Sequence, residues 1–142
     1  MTAIGCCLIM VMLAVDAFLF ALACVVQWIV YPGFRWVHEE REPHWQQKYT
    51  RAIVLLTMPT MVLQLTLHAR DAWAQGGFVS GLQLSLVILT WVTTFAVAVP
   101  IHAAIARHGL SEQRIQKLIR AHAVRTTAWS TVFLLQLYTL SV

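Results

Sequence analysis

Four long apolar runs, separated by polar connections, set the pattern of this chain. The first extends from Ala3 to Tyr31 and is interrupted only by Asp16. The second runs from Ala52 to about His68, the third from Phe78 to about Ala106, and the fourth from near Thr126 to Val142. A helix needs roughly 20 apolar residues to cross about 30 Å of hydrocarbon. The pattern therefore predicts transmembrane helices over about 3–31, 52–68, 78–106 and 126–142. Runs one and three exceed the crossing length and should tilt or protrude. Run one is read as a helix and not as a signal peptide, because it is too long and nothing basic precedes Arg35.

The connections carry their own signals. In "YPGF", Pro32 lacks an N–H and Gly33 relaxes the backbone, which predicts the end of the first helix near Tyr31. The connection "ARDAWAQGG" is short, so helices two and three should be antiparallel neighbours turning at Gly76 and Gly77. In "LSEQRIQKLIRAH", Ser111 suits an N-cap. There Ile115, Leu118 and Ile119 share one face, while Arg114, Lys117 and Arg120 share another. This predicts a short basic interfacial helix over about 111–121, lying on the inner membrane surface. Pro59 and Pro100 fall inside helical runs and should kink them. The expected fold is all-α: a single domain over 1–142, built as an antiparallel bundle of four transmembrane helices with an interfacial helix before the fourth.

Composition agrees, since 59% of residues are hydrophobic and only 11% charged, too few to cover a water-facing surface. The net charge of +4 is unevenly placed. Arg35, Arg41, Lys48 and Arg51 follow the first run, and Arg107, Arg114, Lys117, Arg120 and Arg125 follow the third, while the connection between runs two and three holds only Arg70. These basic connections should be cytoplasmic and both termini outside, with the chain multi-pass in the inner (plasma) membrane. The expected partners are a bilayer with anionic headgroups and a membrane-protein partner or a second copy of the chain, not nucleic acid. Cys6, Cys7 and Cys24 have no metal-binding spacing and read as small apolar residues.

Polar residues inside the apolar runs are the candidate chemistry. Asp16 lies about 22 Å from Tyr31 at a rise of about 1.5 Å per residue. A carboxylate at that depth costs several kcal/mol unless it is protonated or partnered. Gln64, Trp91, Thr93 and Gln136 fall at roughly 17–24 Å from their own cytoplasmic ends, so a buried polar layer of Asp16, Gln64, Trp91, Thr93 and Gln136 is expected. Interhelical hydrogen bonding and a proton-accepting pocket around Asp16 are the two roles open to it. A second constellation lies at the cytoplasmic end. His102 sits about 7–8 Å inside Arg107 by helical rise. Tyr31, Arg51 and Arg125 fall at the same level on the other helices, with His122 just outside the fourth. A ligand or headgroup site of Tyr31, Arg51, His102, Arg125 and Trp129 follows. His38 and His44 stand in the first connection with Glu39, Glu40 and Glu42. No pair has the HExxH or ExxH spacing of a metal site, and His68 stands alone at the outer end.

Several stretches resemble a family of small bacterial four-span integral membrane proteins: "VQWIVYP", "MPTMVLQL", "WVTTFAVAVPIH" and "RTTAW". The VPxH and RTxxW elements are the most specific. Tyr31, Pro32, Pro59, Trp91, Thr94, Pro100, His102, Arg125, Thr126 and Trp129 fall on the family pattern. The chain departs from it at Gln64, where the family tends to have Glu, and at His122 and Ala123, where it tends to have Asn-Trp. The first departure removes an ionisable group from position 64. The layout is also loosely similar to the anthrone-oxygenase-like membrane family, without a shared motif. The resemblance implies a fold and not a reaction.

Three functions fit these residues. The first is a non-enzymatic subunit or accessory of a larger membrane complex or homo-oligomer. The second is a binder of a quinone, pigment or lipid headgroup around His102. Haem belongs with these candidate ligands, and Ala98, four residues before His102, would let a flat macrocycle approach. The third is a membrane oxidoreductase on a hydrophobic substrate, with His102 or Asp16 as base. No nucleophilic triad, P-loop or Rossmann fingerprint is present.

Overall fold

Apolar runs of this length satisfy their own backbone polar groups only by coiling, and the chain does so throughout. A computed structural model describes residues 3–36 and 42–141. The first-connection residues His38, Glu39, Glu40 and Arg41 lie outside them. The described residues are all-helical: α1 (Ala3–Val25), a π turn (Val26–Val30), α2 (Tyr31–Gly33), a 3-10 turn (Phe34–Trp36), α3 (Glu42–Gln75), α4 (Phe78–Thr93), a second π turn (Thr94–Ala98), α5 (Val99–His108) and α6 (Glu112–Ser141). Joined end to end, these make four rods.

Three rods are long and apolar enough to cross a membrane: Cys7–Trp36, Lys48–Gln75 and Phe78–His108. Their most apolar windows are only 33%, 22% and 17% buried inside the protein, so most of this apolar surface faces outward. The fourth rod does not meet the same measure. Its first half, up to Arg125, is polar, and its apolar half is shorter than the roughly 20 residues a crossing needs.

Several boundaries differ from expectation. "YPGF" does not end the first rod, which stays helical through Gly33 and tightens into the 3-10 turn. Pro32 and Pro100 cannot donate to the carbonyl four residues back, and their rings crowd it. In both places the turn before the proline widens, with Tyr31 N–H donating to Val26 O and Val99 N–H to Thr94 O. The rods pass through each proline by way of a π turn and do not stop. The real stops are Gly76 (φ 60) and Gly109 (φ 75). Each is a left-handed cap whose N–H closes the last turn, on Ala72 O at 3.0 Å and Ile105 O at 2.8 Å.

The second rod begins at Glu42, ten residues before the predicted start at Ala52, so half of the expected loop is helix. No separate interfacial helix forms, because α6 runs unbroken from Glu112 to Ser141. Ser111 caps it as expected, its Oγ accepting from Arg114 N–H at 3.3 Å. The apolar face of Ile115 and Leu118 does not lie on a membrane surface. It is buried against Val26, Tyr31, Phe34 and Ile105, which offer it a protein core. A second core of Met12, Val15, Leu19, Met61 and Trp129 fills the other half.

Candidate functional site

The lower half of α3 carries Gln46, Tyr49, Ile53, Thr57 and Met61 at steps of three and four, so one face of the helix presents them all. That face fronts a partly open cavity of about 970 Å³, whose far walls come from α1, α2, α5 and α6. This is at the upper end of small-molecule pockets, roughly 300–1,000 Å³. The cavity brings together all five residues of the expected ligand constellation: Tyr31, Arg51, His102, Arg125 and Trp129.

Polar groups gather around His102. Gln46 Nε2 lies 3.0 Å from its Nδ1, and the Tyr31 hydroxyl 3.3 Å from its Nε2. With the Gln46 amide in this orientation Nδ1 accepts, so the ring proton sits on Nε2 and faces the Tyr31 oxygen. Tyr49 is hydrogen-bonded to Tyr31, extending the chain of donors. The Arg125 guanidinium lies over the Trp129 ring, 5.0 Å from its centroid. Arg51 differs from the other four in being exposed at the rim.

His122 was expected outside the fourth helix. It is instead 3% exposed in the cavity wall, its Nε2 donating to Ala23 O at 3.2 Å and its ring 5.1 Å from that of Tyr31. The backbone carbonyl fixes the proton on Nε2 and leaves Nδ1 as an acceptor. Four buried side-chain atoms on cavity-lining residues have no hydrogen-bond partner: Gln46 Oε1, Thr57 Oγ1, His122 Nδ1 and Arg125 Nε.

The expected polar layer forms in part. Gln64 Nε2 donates to Asp16 Oδ1 at 2.8 Å, and Trp129 Nε1 donates to Gln64 Oε1 at 3.1 Å. His68 is not alone: its Nε2 lies 3.1 and 3.2 Å from the two carboxylate oxygens of Asp16. Asp16, Gln64 and His68 are all buried. Gln136 bonds elsewhere, accepting from Gln83 Nε2 at 3.0 Å. The Thr93 hydroxyl turns back to Leu89 O and Thr90 O. The Trp91 ring stacks on Phe95, and its N–H is unpaired. Trp129 thus touches both systems, its N–H in the buried network and its ring face under Arg125.

Among the described residues no three His, Cys, Asp or Glu side chains converge as a metal site requires. The donors around His102 and the cation suit an organic ligand. Compared with family models, curated proteins and solved structures, the chain matches none of them.

Proposed function

We propose that this protein is a small membrane protein that binds an amphiphilic small molecule in the cavity bounded by Tyr31, Gln46, His102 and Arg125. The observation that carries this reading is the clustering of four unpaired buried polar atoms on residues that line one largely apolar cavity. Buried polar groups in native proteins nearly always have partners, so orphans clustered on the walls of a space of ligand size point to an occupant.

The reading takes the rods as an antiparallel four-helix bundle in the inner membrane, with the cavity in the cytoplasmic half. Outward-facing apolar surface on three rods supports the membrane setting. Residue pairing supports the topology: along the first rod Phe20, Ala23 and Arg35 meet Phe133, His122 and Glu112, in reverse order along α6. The placement of Arg51 and Arg125 on one cavity supports the basic connections lying on one face. Binding is favoured over an accessory-subunit role because it accounts for the orphaned atoms, which packing against a partner would not reach.

The test is an absorption spectrum and mass analysis of small molecules extracted from gently purified protein, set beside Ala103→Trp, whose indole would intrude into the cavity. A stoichiometric amphiphile in the wild type and its loss in the variant are expected. A wild type that carries no small molecule and takes up none on reconstitution into lipid would overturn the reading.

A further inference from the structure

The cavity's polar groups also define the charge of what it would hold. Arg125 is 8% exposed, with its Nε wholly buried and unpaired. Among the described residues it forms no ion pair; the two salt bridges are Arg35–Glu112 and His68–Asp16. Asp16 is the one acid among the buried described residues, and it is engaged by Gln64 and His68 on the far side of Trp129. The other polar groups lining the cavity are phenols, imidazoles, an amide, threonine hydroxyls and the guanidinium groups of Arg51 and Arg107. None of them is a fixed anion.

A cation removed from water without a counter-charge is costly, and a neutral acceptor would satisfy its N–H groups while leaving the charge uncompensated. A carboxylate or phosphate does both, through charge-assisted bonds about twice as strong as neutral ones. The guanidinium already sits over the Trp129 ring, so little ordering is left for binding to cost. The other walls are apolar: Leu19 and Met61 are fully buried, and Leu22 and Met58 complete a greasy slot. At the rim Val54 and Val99 are 47% and 48% exposed, facing outward between α3 and α5, where an acyl chain could pass sideways.

We propose that the occupant is an anionic single-chain amphiphile, its carboxylate or phosphate head on Arg125 and its chain along Leu19, Leu22, Met58 and Met61. This rests on the cavity being a ligand site, as proposed above. The head could come from a free fatty acid or from a one-chain phospholipid; the anionic head on a single chain is the chemistry common to both.

The test is calorimetric titration of the protein in nanodiscs of zwitterionic lipid with three probes of one chain length, hexadecanoate, hexadecyl phosphate and hexadecanol, at a pH where the acids are ionised. At least one anionic probe should bind about tenfold or more tighter than the alcohol, as one charge-assisted bond provides. The tighter of the two acids assigns the source of the head. Arg125→Gln should bring all three within about twofold of one another. The comparison in the unaltered protein needs no variant to fold. Equal binding of hexadecanol and both acids would overturn the charge assignment and leave the cavity reading standing. Failure of all three to bind would overturn both.

Discussion

The Trp129 ring carries the Arg125 guanidinium on its face at 5.0 Å while its N–H donates to Gln64 at 3.1 Å. One side chain therefore closes the buried Asp16 network and forms the floor of the cavity. A change in either system reaches the other through a single indole.

Trp129→Phe keeps a ring beneath Arg125 and removes the N–H, leaving Gln64 Oε1 buried without a donor. Loss of about 1–2 kcal/mol of stability is expected in reversible detergent unfolding, in the range of an interhelical hydrogen bond and a stranded acceptor. Pairing it with Gln64→Leu should cost less than the sum of the two single changes. Strict additivity would mean the two residues are not coupled.

Asp16→Leu leaves Gln64 Nε2 and His68 Nε2 both unpaired in a buried site. It should destabilise by about 1–3 kcal/mol for each stranded donor. Asp16→Leu combined with His68→Leu should recover part of that loss, because removing both partners is cheaper than removing one. A single variant as stable as the parent would show that the network does not hold the helices together.

Much of this was legible in the sequence, and what was missed has a physical cause. Run lengths located the helices, and depth along them placed Asp16 near Gln64 and His102 near Tyr31 and Arg125. Counting from chemical boundaries failed where helices outrun their apolar segments. The polar start of α3 looked like loop, which hid Gln46 and Tyr49, although Gln46, Tyr49, Ile53, Thr57 and Met61 already stood at helical steps. The partnership of His68 with Asp16 was readable from its place four residues after Gln64, which puts both on one face. Gln136 shared an estimated depth with Asp16 but faces α4, and depth alone does not give direction.

Arg35 holds Glu112 through two hydrogen bonds, at 2.7 and 3.1 Å, tying the end of the first rod to the start of α6. These bonds, with one from Gln116, push the Glu112 carboxyl from its ordinary 4.5 down to about 2. A depressed carboxyl contributes stability above its unfolded value and loses it as pH falls through the folded one. The tie should therefore persist on acidification from pH 7 to pH 4 and break near pH 2. Spin labels on the two rod ends report the distance. A separation that opens between pH 5 and pH 4 would contradict this.

Pro100 forces the wide turn at Thr94–Ala98 that sets the direction of His102. Pro100→Ala restores a donor and lets the turn close to α geometry, swinging later residues by about 100°. Helix content by circular dichroism should hold while affinity for the tightest probe falls about tenfold or more, the cost of losing roughly one good polar contact. Unchanged affinity would remove the π turn from the account.

The most direct measurement is a crystal structure of the protein from crystals grown in a lipid mesophase. The account predicts elongated density in the cavity, its polar end within hydrogen-bonding distance of Arg125 and near His102, and no such density in Ala103→Trp. A cavity closed by the protein's own side chains, with Arg125 Nε bonded to a carboxylate or carbonyl of this chain, would contradict it.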